Sequence, residues 1–355
     1  MEHLKVVESS DLYARICSSA SSEVAAFIIN NLDSDGLNIE PWLQKTDSNS
    51  DYGNLRDSRF IIDLVDVSEV DDLTVHFRAI NGRMAKHGIY VGCFESKYNI
   101  QLKLFKRYNR ALYNFVRMVN YTFRNFVPRW KGLTRQGKSV ISLMYRNNSL
   151  AEVLGRLAYC GFEIVNFKYF DNLTYFIIRK KTEPRFEKVS TSRFIVRLDR
   201  VGKGGNCIGI YKIRTMYPYS EFIQDYVVKI NGYDAMGKPK NDFRLTPFGR
   251  IIRKLWIDEI PQIYNLLKGD ISLVGVRPIS KYGFGKLPPD LQSKRICYMP
   301  GLISPHVSLR FKGFDGVIRA ERQYLKEREN NPIRTNIKYF FLALFNIITL
   351  RAKSS

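Results

Sequence analysis

Nowhere in the 355 residues do about 18 apolar side chains run together, as a bilayer-crossing helix requires, so the sequence predicts no membrane span. The opening stretch, MEHLKVVESSDLYARI, also lacks the apolar core of a signal peptide. Cysteine is sparse. The five cysteines (Cys17, Cys93, Cys160, Cys207, Cys297) have no CxxC or His/Cys spacing, which argues against a disulfide framework and a zinc site and makes a reducing cytoplasm the expected compartment. No Gly-rich loop follows a first strand anywhere before residue 88, so the usual backbone cradle for a nucleotide-type cofactor is missing there. Acidic residues are absent from one long stretch: residues 96–151 hold 12 basic side chains and no Asp or Glu.

What the chain does have is basic charge. It carries 56 Lys and Arg against 34 Asp and Glu, a formal net charge of +22, and a surplus of that size points to phosphates or an anionic membrane surface. Residues 1–95 are the exception, with 8 basic and 16 acidic side chains, whereas residues 182–355 carry 31 and 15. No nucleic-acid recognition motif accompanies the charge, so nucleic acid is not an expected partner.

Residues 1–57 are polar, with turn material at 33–36 and 47–54, and predict little. From Arg59 the pattern sharpens. FIIDLVDV reads as a strand, DDLTVHFRAINGRMAKHG as a helix closed by Gly88, and IYVGCF as a second strand. SLAEVLGRLAYCGFEIV repeats the helix-to-strand step with Gly161 as the stop, and LTYFIIRKK adds a final strand, so residues 58–181 predict an α/β layer. This stretch resembles the second half of a class I methyltransferase domain, in which a helix, a small turn and "GF" lead into a closing antiparallel strand pair. Without the Gly-rich loop, the resemblance implies a truncated, Rossmann-like relic used for packing or partner binding; a working methyltransferase is the alternative.

Within the acid-free insertion, taken as 97–148, Phe105, Tyr108, Leu112, Phe115, Val119, Phe123 and Phe126 recur at helical steps among Arg110, Arg117 and Arg124. This predicts a basic, aromatic amphipathic helix, either docked on its own protein or lying in the headgroup plane of an anionic membrane. YFFLALFNIITL, residues 339–350, is nearly continuous apolar sequence. Twelve helical residues reach only about 18 Å against a bilayer core of about 30 Å, so the stretch predicts docking on the fold or a dip into one leaflet. Residues 182–198 predict a linker, leaving 199–355 as a second domain.

That second domain contains RVGKGGNCIGIYKIRTM, then FRLTPFGRIIRKLWIDEIPQIYNLLKGDISLVGVRP, then KRICYMPGL. Leu245 to Trp256 has helical spacing, Pro261 suits the first turn of a following helix, and Gly269 suits its end, which predicts Asp258 and Glu259 at a helix N-terminus. There the helix dipole favours an ionised carboxylate. Such a group among arginines is an oxygen nucleophile toward phosphorus or a Mg²⁺ ligand; taken alone, the pair also reads as a plain helix cap.

In order and combination these motifs resemble the bacterial sugar transferase family of monotopic phosphoglycosyl transferases, over about 150 residues. The resemblance implies an α+β catalytic domain that moves a sugar 1-phosphate from a UDP-sugar to a polyprenyl (undecaprenyl) phosphate, releasing UMP. It implies Asp258 as the nucleophile that carries the phosphosugar, Glu259 as the Mg²⁺ ligand, and Lys212, Arg214, Arg253 and Arg277 as the phosphate- and nucleotide-binding cations. It further implies the cytoplasmic face of a bacterial inner membrane, with other polysaccharide-synthesis proteins or further copies of the chain as partners.

Three departures stand against the family pattern. EPRFEKVSTSRFIVRLDR occupies the place of the family's apolar re-entrant helix and is too charged to enter a bilayer. Val276 replaces a proline, which predicts a looser turn, and ISPH follows PGL where a PG(I/L)TG-like turn is usual. The missing re-entrant helix leaves open a second reading, a catalytically weakened homologue serving as an assembly or regulatory subunit. The three glycines Gly202, Gly204 and Gly205 predict a turn between strands, and Gly275 predicts a close backbone approach. His306 reads as structural.

Overall fold

The computed structural model describes residues 12–32, 42–44, 57–70, 72–96, 99, 149–170, 172–187, 194–232, 239–311, 313–349 and 351. The predicted amphipathic helix over 105–127 lies outside the described residues. The chain mixes helices and sheets in two compact units, one comprising Met1–Lys188 with Tyr219–Ile223, the other Val189–Pro218 with Gln224–Ser355.

The first unit begins with a helical turn at 12–17 and helix α1 (Ser22–Ile29), then strands β1 (Trp42–Gln44) and β2 (Ser58–Asp66), helix α2 (Leu73–Arg83) and strand β3 (Met84–Phe94). Helix α3 (Leu150–Tyr159) and strands β4 (Phe162–Tyr169) and β5 (Thr174–Lys180) complete it. The sheet order is β1-β2-β3-β5-β4, with β1, β2 and β3 parallel and β5 antiparallel to both of its neighbours. Local signals explain the helices. Asp72 caps α2 by accepting from Thr74 N and Val75 N, Ser149 caps α3 by accepting from Glu152 N, and Gly161, at φ 91°, turns the chain out of α3 into β4.

Two expectations change here. The helix predicted to close at Gly88 ends at Arg83, and Met84 to Gly88 belong to β3. The Lys180 ammonium donates to the carbonyls of Asn81 and Met84 at 2.8 and 3.0 Å, satisfying acceptors at the helix end, while Met84 already pairs with Ser58 in the parallel ladder. The polar N-terminal stretch also contributes more than its periodicity suggests: Ile16, Val24, Phe27 and Ile28 pack with Phe60, Ile62, Val91 and Ile177 in one buried cluster.

The second unit opens with an antiparallel hairpin, β6 (Ile195–Val201) and β7 (Cys207–Ile213), closed by a 3₁₀ turn at Lys203–Gly205, as the three glycines predict. Helices α4 (Gln224–Asn231), α5 (Pro247–Lys254) and α6 (Gln262–Lys268) follow, then strand β8 (Ser272–Val274). Short helices α7 (Lys281–Gly285) and α8 (Pro289–Arg295) lead to strand β9 (Gly301–Ile303) and helix α9 (Pro305–Leu309). Two long helices, α10 (Gly313–Asn330) and α11 (Pro332–Ile348), finish the unit.

Parallel pairing of β8 with β9 sits over a core that includes Val274, Val276, Leu291, Ile303, Tyr324 and Tyr339. Val276 is buried and bridges Pro300, with its carbonyl accepting from Gly301 N at 2.9 Å, so the turn predicted to loosen without proline is held by pairing and packing. Helix α11 splits the C-terminal apolar stretch between two environments. Tyr339, Ala343 and Asn346 are buried, whereas Ile333, Ile337, Phe341, Phe345 and Ile348 stand exposed. Among the described residues no helix is long and apolar enough to cross a membrane.

Gly275 and Gly301 let the two short strands meet. A Cβ built on Gly301 would lie 2.0 Å from Gly275 N, and one on Gly275 2.5 Å from Met299 O. Backbone atoms cannot step aside for a methyl group without displacing the pairing. Urea denaturation of Gly301→Ala should therefore show a loss of about 1–3 kcal/mol, the usual range for overpacking.

Candidate functional site

The acidic pair lies in a 3₁₀ turn, Ile257–Glu259, that bridges α5 and α6. Trp256 precedes it in the left-handed region at φ 60°, and this breaks the predicted Leu245–Trp256 helix, which runs from Pro247 to Lys254. Pro261 occupies the N-cap of α6 and no side chain caps that helix, so the pair sits one turn ahead of the helix. Neither acidic residue occupies the N-cap position of α6. Asp258 and Glu259 are both buried, at 1% and 8% exposure, a setting in which carboxylates require partners.

Glu259 has two. Lys212 Nζ stands 2.8 Å from its Oε1, in an ion pair whose side chains are 17% and 9% exposed, and Gln262 Nε2 donates to its Oε2 at 2.9 Å. Lys212 projects from β7, an edge strand of a two-stranded sheet that needs its outer backbone groups satisfied. The buried amide of Asn265, on α6, does this: its Nδ2 donates to Gly209 O at 2.7 Å and its Oδ1 accepts from Tyr211 N at 3.0 Å. One side chain thus fixes the strand carrying Lys212 to the helix that follows Glu259.

Arg253 comes from the last turn of α5. Thr246 caps that helix through Gly249 N, and Thr215 O accepts from both Thr246 N and Thr246 Oγ1. The approach is close enough that a Cβ on Gly249 would fall 2.0 Å from Thr215 O. Arg253 Nε then donates to Thr215 Oγ1 at 2.9 Å. Burial pushes the Arg253 guanidinium below its ordinary pKa, and the charge of Asp258 is the largest influence holding it up.

Arg277 follows β8 and is anchored at its backbone. Its N–H donates to Glu321 Oε1 at 2.8 Å and its carbonyl accepts from Arg295 Nη2. Arg295 and Glu321 form a buried ion pair, 3.4 Å from Nε to Oε2. Burial lowers the Arg277 pKa, opposed first by the charge of Glu259 and then by that of Glu321, so Arg277 is electrostatically coupled to the acidic pair. Lys212, Arg253 and Arg277 are therefore each coupled to one of the two carboxylates, from a strand, a helix and a loop. Arg214 lies one residue past β7, and its described contact is the backbone N–H to Phe194 O at 2.7 Å.

Two further residues join this group: Arg200, not singled out from sequence, and His306, read there as structural. Arg200, on β6, has its pKa lowered by burial and then by the charge of Arg277, so two guanidiniums share one neighbourhood. Its place in the RVGKGG motif was the available signal. His306 Nε2 lies 3.2 Å from Arg277 Nη1, which no spacing pattern exposes. No cluster of three or more His, Cys, Asp or Glu side chains able to hold a metal occurs among the described residues. Two buried carboxylates ringed by cations suit a reaction at a phosphate better than one that moves protons.

The chain is similar in sequence to several known proteins. A 150-residue segment is 37% identical to galactosyl transferase CpsE of Streptococcus agalactiae, covering 41% of this chain and 32% of that protein. Over 80 residues the chain is 45% identical to the UDP-N-acetylgalactosamine-undecaprenyl-phosphate N-acetylgalactosaminephosphotransferase of Aeromonas hydrophila, covering 22% and 16%. Over 84 residues it is 40% identical to the UDP-glucose:undecaprenyl-phosphate glucose-1-phosphate transferase of Caulobacter vibrioides, covering 24% and 28%. The chain spans less than a third of the length of each of these relatives. The family pattern described as bacterial sugar transferase matches residues 185–348, a span that contains the acidic pair and every cation placed around it. Over residues 185–348, then, this C-terminal unit is similar to the bacterial sugar transferases.

Proposed function

We propose that the C-terminal unit transfers a sugar 1-phosphate from a UDP-sugar to polyprenyl phosphate, releasing UMP, with Asp258 as the nucleophile. The observation that carries this reading is the buried Asp258-Glu259 pair, with Lys212 on Glu259 and the charges of Arg253 and Arg277 coupled to the two carboxylates. Relatives named for undecaprenyl-phosphate sugar phosphotransfer support the reaction class. Their printed donors differ, so the sugar is not assigned.

In the first step a carboxylate oxygen of Asp258 attacks the sugar-linked phosphorus. The bond from that phosphorus to the bridging oxygen breaks, UMP leaves with the electron pair, and an aspartyl phosphosugar remains. In the second step an oxygen of polyprenyl phosphate attacks the same phosphorus and the carboxylate departs, giving a polyprenyl diphosphosugar. Neither step needs a proton, but each brings anions together, and fixed positive charge is what lowers such a barrier. Arg253 and Arg277 offer the planar pairs of N–H donors that match phosphate oxygens, while Lys212 keeps Glu259 in place.

Mg²⁺ fits this arrangement in a limited way. It is held by one or two carboxylates together with substrate phosphates and water, and a carboxylate oxygen that meets Lys212 or Gln262 is a donor atom of the hard type this ion takes. Glu259 would hold the ion, which when bound supplies further positive charge at the diphosphate.

Access for a lipid acceptor calls for contact with a membrane surface. The exposed apolar side of α11, Ile337, Phe341, Phe345 and Ile348, with the basic surplus of this half of the chain, supports docking on an anionic bilayer at the cytoplasmic face. The first unit is read as a non-catalytic, truncated Rossmann-like module, supported by its closing antiparallel β4/β5 pair.

With Mg²⁺, polyprenyl phosphate and a panel of UDP-sugars, the protein should release UMP with ping-pong kinetics, and Asp258→Asn should abolish release while leaving the circular dichroism spectrum intact. A folded, membrane-supplied wild type silent across the panel would instead favour an assembly or regulatory subunit. Lys212→Met should cost stability as well as rate, about 3–5 kcal/mol by chemical denaturation, because it strands a buried carboxylate; the double variant with Glu259→Gln should recover much of that stability but no activity. In sedimentation with anionic vesicles, Phe341→Asp with Phe345→Asp should weaken binding at least tenfold without unfolding the protein, since both side chains are already exposed.

A further inference from the structure

His306 touches Arg277, one of the cations of the site. It lies in α9, two residues after Ser304, and its two ring nitrogens have different neighbours. Nε2 is 3.2 Å from Arg277 Nη1 and Nδ1 is 2.9 Å from Ser304 Oγ. A guanidinium nitrogen can only donate, so Nε2 must present its lone pair. The ring proton of the neutral imidazole is then on Nδ1 and donates to the serine hydroxyl. An imidazolium would set donor against donor at Arg277, so the contact requires the neutral Nδ1–H tautomer.

The consequence falls on Arg277. Its main chain is already clamped by Glu321 at the N–H and by Arg295 at the carbonyl, which fixes where the residue starts but leaves the rotation of a long side chain open. The imidazole supplies the missing constraint at the far end. With Nη1 engaged, the guanidinium plane is set, and the Nε–Nη2 edge has no hydrogen-bond partner among the described residues. Burial opposes this placement, Glu259 and Glu321 offset only part of that cost, and the charge of Arg277 in turn lowers the pKa of Arg200 nearby. An anion with two adjacent acceptor oxygens would relieve it.

We propose that His306, oriented by Ser304, is a positioning residue that fixes the Arg277 guanidinium to receive the diphosphate of the nucleotide sugar. This rests on the donor assigned above, and the two can fail separately.

The test has a spectroscopic half and a binding half. In the full-length protein labelled with ¹⁵N-histidine, the resonance lost in His306→Gln identifies His306. It should show a pyrrole-type Nδ1 and a pyridine-type Nε2, and Arg277→Ala should shift that pattern toward the mixed tautomers of a free imidazole. An Nε2–H tautomer, or a signal indifferent to Arg277→Ala, overturns the proposal. Calorimetry with UDP should give a Kd about tenfold weaker for His306→Ala, the effect of losing one orienting hydrogen bond. His306→Gln, whose amide oxygen can accept from Arg277 where Nε2 does, should bind within about threefold of wild type. Equal UDP binding by His306→Ala and wild type, or a glutamine variant as weak as alanine while equally folded, overturns the positioning role. A wild type that ignores UDP overturns the donor assignment and the diphosphate role with it, while the imidazole signal still decides whether His306 holds Arg277.

Discussion

A carboxylate that is nine-tenths buried needs partners, and in this protein Glu259 meets Lys212 in a 2.8 Å ion pair. Burial strips both groups of water, and their attraction repays that cost only when the remaining lone pairs are also satisfied. Gln262 contributes on one side of Glu259, and Asn265 anchors the strand that delivers Lys212. Most of what surrounds the pair follows from the need to hold a strand, a 3₁₀ turn and a helix at these distances. The left-handed Trp256 turns the chain into the acidic pair, and Gly249 admits α5 against Thr215 closely enough to bring Arg253 within reach of Asp258's field.

The same logic extends outward to the second buried ion pair. Arg295 and Glu321 do not approach the acidic pair directly; they grip the main chain of Arg277 from both sides. Removing either would leave an uncompensated charge in the core as well as a loosened arginine. Positive charge is thus concentrated by scaffolding, with Arg200 and Arg277 held near one another at an electrostatic cost that an anionic ligand would reduce. For the proposed reaction, such a site would be arranged for phosphate before phosphate arrives, which is the property that fixed-charge catalysis needs.

Local chemistry made parts of this legible in the sequence. The φ 91° Gly161 stop and the glycine turn of the β6/β7 hairpin were readable because each acts within a few residues of itself. The identities of Lys212, Arg253 and Arg277 came from ordered motifs rather than from any spacing rule. Contacts that depend on distant partners were not readable. Lys180 ends α2 from about 100 positions away, which is why the helix seemed to run on to Gly88, and Arg277 meets His306 across an intervening strand and two short helices. The buried N-terminal side chains Ile16 and Phe27 were missed for a related reason: a short helix with a weak polar-apolar pattern gains its place from the sheet it covers.

The central claim is that Asp258 carries the phosphosugar between donor and acceptor. Intact-mass analysis of the protein incubated with a competent UDP-sugar and Mg²⁺, without any lipid acceptor, tests it most directly. The account predicts an adduct of one sugar phosphate, mapped by peptide analysis to Asp258, absent in Asp258→Asn and discharged when polyprenyl phosphate is added. UMP release that requires the acceptor from the outset, with no adduct at any time, would contradict it.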